Sequence, residues 1–259
     1  MTVKAQPAYN APSMSPTGLF LLPIPPNQQS PAATLISYIS RSFPAELLPT
    51  FYLDHRLFVD TSSLLPNADL SQRKFTSILT LSHTPLSTFV GTSLPKDKSE
   101  FAEQASPVTL ITIPFTAADT FTQLIGTKLQ PQWMHRQSLV VENGMALSLR
   151  DGEWIVRIGD LKTPSRANQP STLRAMALEV TYNASGPAAQ DLETGGASIV
   201  STEDETLVRG FSDSLTEAAG ISLGNSRVLF RNTQSNRSAD TVDWDLANLY
   251  MDMLRGNRA

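Results

Sequence analysis

Two dipeptides limit this chain more than anything else in it. Asn143-Gly144 and Asp151-Gly152 each tolerate positive φ at two successive positions, which a type I′ turn requires and most residue pairs resist. Both stand inside β-favouring sequence between Gln130 and Lys162, so each predicts a tight hairpin. If Asn143-Gly144 closes a two-residue loop, Glu142 faces Met145 and Val140 faces Leu147. If Asp151-Gly152 does the same, Leu149 faces Trp154 and Leu147 faces Val156, and turn chemistry fixes the register. Alternation then gathers Val140, Met145, Leu147, Leu149, Trp154, Val156 and Ile158 on one face. Gln137, Arg150, Glu153 and Arg157 fall on the other, which is expected to be largely wet. The pattern is an antiparallel meander.

With 259 residues, 41% hydrophobic and 17% charged, the chain is long and apolar enough to bury a sizeable core in one large or two small domains. No pattern repeats at a fixed period. No apolar run reaches the 18 or so residues of a membrane span, and the N-terminal stretch lacks the apolar segment of a signal peptide, so a cytosolic or nuclear setting is expected. The absence of cysteine excludes disulfides and thiolate metal sites. A formal charge of -4 argues against a strong phosphate-binding surface, so direct nucleic-acid binding is not expected.

Residues 1–16 are polar and proline-rich and are expected to be flexible, leaving 17–259 as a single domain. Gly18 to Ile24 reads as a strand covered on both faces. Ser30-Pro31 opens a helix with Leu35, Tyr38 and Ile39 on one face, ending near Phe43. Thr50 to Val59, Lys74 to Ser82, Thr88 to Thr92 and Val108 to Ile113 read as further strands. Thr116 and Asp119 resemble a capping pair ahead of a helix carrying Phe121, Leu124 and Ile125. Leu173 to Tyr182 is a strand expected to pair with that of Trp154. The charged stretch near 93–106 and the Gly, Ala, Ser and acid-rich stretch near 183–202 are expected to be mobile loops. Thr202 to Glu205 makes a capping box for a helix that places Leu207, Phe211, Leu215 and Ala218 on one face and ends at Gly220. A final helix runs from about Asp240 to Leu254. The fold class is therefore α+β, with a large antiparallel sheet and flanking helices.

Catalytic chemistry is hard to find. His55, His83 and His135 have neither of the close spacings that would set two ligands together. Phosphate-loop, dinucleotide, zinc-protease and serine-elbow motifs are absent. Glu203, Asp204 and Glu205 cluster, but acids in the first turn of a helix interact favourably with its positive end without a metal. No cofactor or metal is expected.

The C-terminal helix has an unusually wide apolar arc, roughly 220° on a wheel of 100° per residue. Val242, Leu246, Leu249 and Met253 form one stripe suited to the chain's own sheet. That leaves Trp244 and Met251, with Tyr250 and Leu254 beside them, as the expected partner-facing residues, because interface cores favour aromatic residues and methionine. The alternative is a helix sunk deep between sheet and loops.

Taken in order, several stretches resemble the fungal form of Mediator subunit 20. They are Gly18 to Pro23, Leu53-Asp54-His55-Arg56-Leu57 with Asp60-Thr61 and Leu65-Pro66, Gln130 to Arg136, Asn143-Gly144, Val156 to Asp160, Ala177 to Tyr182 and the Tyr250 helix. The resemblance implies a barrel-like antiparallel sheet with flanking helices, shared with Mediator subunit 18. It also implies a nuclear, non-enzymatic scaffold of the Mediator head module that pairs with subunit 18 and serves RNA polymerase II transcription. That fold is related to tunnel-shaped triphosphatases, which sets the rival expectation of a triphosphate-binding protein or phosphohydrolase. Those enzymes carry a Glu-x-Glu-x-Lys strand. Here Glu203-x-Glu205 has Leu207 at the fifth position and lies in an expected helix.

Overall fold

A computed structural model describes residues 15–61, 73–93, 109–130, 132–165, 170–183, 202–231 and 242–255. The expectations for residues 1–14 and for most of the stretches near 93–106 and 183–202 lie outside the described residues. The rest builds one antiparallel sheet of ten strands. They are β1 (Thr17–Pro23), β2 (Ala45–Leu47), β3 (Phe51–Asp60), β4 (Phe75–Leu81), β5 (Ser87–Ser93), β6 (Thr109–Pro114), β7 (Trp133–Leu149), β8 (Trp154–Thr163), β9 (Thr172–Tyr182) and β10 (Arg227–Phe230). Their order is β10-β1-β9-β8-β7-β3-β4-β5-β6, with β2 annexed to β7. Four helices, α1 (Ala32–Ser42), α2 (Ala118–Gln123), α3 (Thr202–Ala218) and α4 (Val242–Arg255), flank it.

The sheet curls without closing. α4 touches β10 and β1 near one edge and β3, β4 and β5 near the other. In a flat sheet β10 and β5 would stand about 34 Å apart at about 4.8 Å per strand, whereas a helix with its side chains is only about 10 to 12 Å across. The strands must wrap around the helix to reach it. Inside the curl, Leu19, Leu21, Phe51, Leu53, Leu79, Leu81, Phe89, Leu139, Val141 and Leu161 form one core with α4. Outside, Phe20, Leu147, Leu149, Trp154, Val156, Ile158, Met176, Leu178 and Val180 form a second core under α1 and α3. A third, smaller one joins Phe58, Ile78 and Val90 to Ile125 of the helical segment 115–128. The barrel-like expectation is thus met by an open, curled sheet whose outermost strands, among the described residues, are β6 and β10.

The two dipeptides behave differently. Asp151 at φ 56° and Gly152 at φ 91° take type I′ values, with Arg150 also left-handed at φ 50°. Glu153 N–H donates to the Arg150 carbonyl at 3.2 Å, and Leu149 faces Trp154 and Leu147 faces Val156, as the turn chemistry requires. Asn143-Gly144 makes no turn. β7 runs straight through it, neither residue has positive φ, and the pairings Glu142 with Met145 and Val140 with Leu147 do not form. Instead β7 carries one extra residue there against both neighbours, since Phe51 pairs with Gly144 but Leu53 with Val141, and Met145 pairs with Ile158 but Val140 with Lys162. This is a β-bulge, which bends a strand and raises its twist. Glycine is needed for closeness rather than for φ: a Cβ on Gly144 would lie 2.7 Å from Phe51 Cδ1, 2.9 Å from the Phe51 carbonyl and 3.0 Å from that of Ile158.

The wet face of the meander is also corrected. Leu139, Val141, Ala146 and Leu161 on that side are buried against α4, because a central strand with helices on both sides is covered twice. α1 follows expectation, with Leu35 and Ile39 fully buried and the Ser30 hydroxyl accepting the Ala32 N–H at 3.1 Å. Thr116 and Asp119 do not cap. No side chain caps the segment 115–123, and Asp119 instead pairs with Arg56 at 2.8 Å. α3 is rotated from its expected face: Val208, Ser212, Leu215 and Thr216 are buried, whereas Leu207 and Ala218 are exposed. The Ser212 and Thr216 hydroxyls donate back to the Val208 and Ser212 carbonyls at 2.8 and 2.9 Å, which lets polar residues face the core. Gly220 at φ 74° ends the helix, with Ile221 N–H on the Thr216 carbonyl at 2.8 Å.

Candidate interaction surface

The most polar place inside the curl is centred on Glu179 of β9, which is 1% exposed. His83 Nε2, from the β4–β5 turn, lies 3.0 Å from Oε1 and 2.9 Å from Oε2, and Arg157 of β8 donates to Oε1. The Tyr250 hydroxyl of α4 donates to Oε2. Burial pushes the Glu179 carboxyl up, but His83 and Arg157 beside it, with hydrogen bonds from His83 and Tyr250, outweigh it and hold the group well below the usual carboxylate range. The Tyr250 hydroxyl is pushed well above its ordinary value by burial and by the adjacent carboxylate. The far end of α4 is held as well. Arg227 of β10 donates to the Met253 and Asp252 carbonyls at 3.0 Å each, and Gln137 of β7 donates to that of Leu254 at 3.0 Å.

This arrangement is a clamp rather than a catalytic centre. Every ionised group in it is matched, and the helix that supplies Tyr250 occupies the space a substrate would need. His55 is fully buried with Nε2 3.2 Å from Ser77 Oγ, and burial pushes it down to about 3. His135 Nε2 lies 2.8 Å from Ser138 Oγ. Among the described residues no three His, Cys, Asp or Glu side chains gather as a metal site would require. Glu203, Asp204 and Glu205 stand in the first turn of α3, outside the curl. The cleft of about 690 Å³ between the Arg150 turn and α3 is floored by Trp154, Leu207 and Phe211, with Arg150, Glu203, Thr206 and Ser214 also on its lining.

Of the four residues expected to face a partner, three are engaged within the chain. Tyr250 is 1%, Met251 5% and Leu254 2% exposed, because α4 is surrounded by sheet rather than laid on it. Trp244, at 37%, is the one that reaches solvent. Exposed apolar side chains concentrate elsewhere: of the nine large ones among the described residues, Leu86, Ile111, Phe115, Leu124 and Leu129 belong to the β5–β6 corner and the helical segment that follows. Phe115 N–H donates to the Leu86 carbonyl at 3.0 Å, which joins the two most projecting side chains of that corner. Sequence reasoning found the β6 strand but could not see that it ends the sheet, since strand order is a long-range property.

A curled α+β sheet filled by a helix, with its buried charges engaged in holding that helix and with an apolar outer corner, is the class of architecture that the described residues define. The family model for the TATA-binding related factor (TRF) of subunit 20 of Mediator complex matches residues 14–255, so this chain belongs to that family, as a Mediator subunit with a role in transcription. A search of curated proteins finds no match. Among solved structures, the PH1819 protein from Pyrococcus horikoshii OT3 is 9% identical over 76% of this chain and 98% of its own, at a TM-score of 0.30. A nonspecific heme-binding cyclase of neoabyssomicin biosynthesis is 8% identical over 71% of this chain and 92% of its own, at 0.18. Neither superposition is close enough to carry an argument.

Proposed function

We propose that this chain is a nuclear scaffold subunit of the Mediator head module that pairs with subunit 18 and acts as a coactivator component for RNA polymerase II, touching neither membrane nor nucleic acid directly. Family membership supports the assembly role. The single observation that carries the non-enzymatic part is the position of α4: Tyr250, Met251 and Leu254 fill the interior of the curl, and Glu179, Arg157 and His83 are consumed in holding them. Exposed Trp244 is proposed as a point of partner contact near the start of α4. Co-expression with subunit 18, followed by size exclusion with mass measurement, tests the pairing, and a one-to-one complex is the expected result. Recovery of the chain alone as a monomer would overturn it. The rival phosphohydrolase reading predicts phosphate release from a nucleotide panel with magnesium or manganese; none is expected.

A further inference from the structure

Edge strands are normally defended, because a row of unpaired N–H and C=O groups is a template for another chain. The usual defences are a charge, a bulge, or a proline within the strand. β6 has none of them. Thr109-Leu110-Ile111-Thr112-Ile113-Pro114 contains no ionisable residue, its six pairs with β5 run from Thr92–Thr109 to Ser87–Pro114 without a register shift, and its proline comes only at the last position. Among the described residues its other side is unpaired. Leu110 points into the core, while Ile111 is 49% exposed and opposes Val90 of the buried outer cluster. Phe115 at 49% and Leu86 at 83% flank the end of the strand.

Resting on the assembly role proposed above, we infer that β6 is a strand-addition site for the partner proposed there: subunit 18 extends the sheet with an uncharged strand laid along Thr109–Ile113. The chemistry of the edge selects that occupant. Alternate residues of β6 turn both N–H and C=O outward, and only another strand satisfies them in pairs. A charged partner segment would find no counter-charge along β6, so a neutral strand is the complement. Leu86, Ile111 and Phe115 would then be covered by its side chains. The chain's own 94–108 leads directly into β6, but it is rich in Lys, Asp and Glu and carries no strand pattern, so it is the poorer complement.

The test uses the full chain co-expressed with subunit 18, with Ile111→Lys against Ile111→Val. Ile111 is half exposed, so the lysine should fold normally, checked by circular dichroism and melting. Strand addition predicts that Ile111→Lys weakens the complex by about 100-fold while Ile111→Val stays within about 3-fold of wild type. In the wild-type complex, amide exchange within Thr109–Ile113 should slow by at least about 10-fold relative to the free chain. If the wild type pairs but both variants bind equally and β6 amides are unchanged, the strand-addition site is wrong while the pairing stands. If the wild type does not pair at all, the proposed function fails instead. A free chain in which β6 amides are already protected, by a second copy or by residues 94–108, also overturns the inference.

Discussion

Replacing Glu179 by glutamine is the most informative perturbation of the clamp. The amide keeps the shape and one acceptor, so Tyr250 can still donate, but Arg157 loses its counter-charge. Breaking a buried pair from one side costs about 3 to 5 kcal/mol. Arg157 retains 18% side-chain exposure, so water recovers part of its charge and the lower end, about 3 kcal/mol, is the expectation. Tyr250→Phe removes a single hydrogen bond to a charged group, about 1.5 to 3 kcal/mol, and leaves the ion pair intact. Urea midpoints with unchanged m-values provide the two energies, and the double mutant should fall short of their sum by about 1 to 3 kcal/mol because both changes release the same contact. pH adds a second arm. The folded carboxyl lies below its ordinary 4.5, so its contribution is present above that value and is lost as pH falls below it; Glu179→Gln should abolish this part of the acid sensitivity. A cost under about 0.5 kcal/mol for Glu179→Gln, or additive energies in the cycle, would refute the clamp.

His55 is neutral in the core with its value lowered to about 3 from 6.5, so the unfolded chain binds a proton that the native state refuses. Stability should therefore fall by about 1.4 kcal/mol for each unit that pH drops from 6.5 toward about 3, and His55→Phe should remove that slope in acid titrations of melting. Gly144→Ala should destabilise by about 1 to 3 kcal/mol because two of its three close neighbours are backbone oxygens, whereas Gly91→Ala should cost less, its nearest neighbour being the flexible Met251 Sδ at 2.6 Å; urea denaturation ranks the pair. Trp244→Ser should leave stability within about 0.5 kcal/mol while weakening partner binding, and Met251→Ser should cost about 2 to 5 kcal/mol, read by melting and by pull-down.

How far the sequence reveals this molecule depends on the range of the interaction involved. Leu149 faces Trp154 because two residues between them demand left-handed backbone, a local fact legible in any window that contains Asp151-Gly152. Asn143-Gly144 offers the same local signal, yet Phe51 and Ile158 lie close above it and make the glycine a point of contact between strands; only tertiary structure separates the two uses. The buried serine and threonine of α3 escape a hydrophobic wheel because their hydroxyls are satisfied by the helix's own carbonyls. β2 and β10 are three and four residues long and too short to carry a periodic pattern. Glu179 is one polar position in an alternating strand, and nothing local says that His83, Arg157 and Tyr250 converge on it.

The same distinction explains α4. A helix apolar around so much of its circumference suggests either an interface or burial, and the choice lies in the strands rather than in the helix. Because alternation places Leu19, Leu21, Leu53, Leu79, Leu81, Leu139 and Val141 on one face of the sheet, that face cannot line a wet tunnel and must be filled. Leu246, Leu249, Tyr250, Met251, Met253 and Leu254 are the large side chains of α4 that fill it. At about 1.5 to 3 kcal/mol for each large apolar side chain, the six contribute about 9 to 18 kcal/mol, and on the order of 10 kcal/mol once a compact unfolded state is allowed for. That is comparable to the whole stability of an ordinary domain, about 5 to 15 kcal/mol. A helix with that much at stake in its own fold cannot also offer the same residues to another subunit, which is why the partner contacts proposed above are the exposed β5–β6 corner and Trp244.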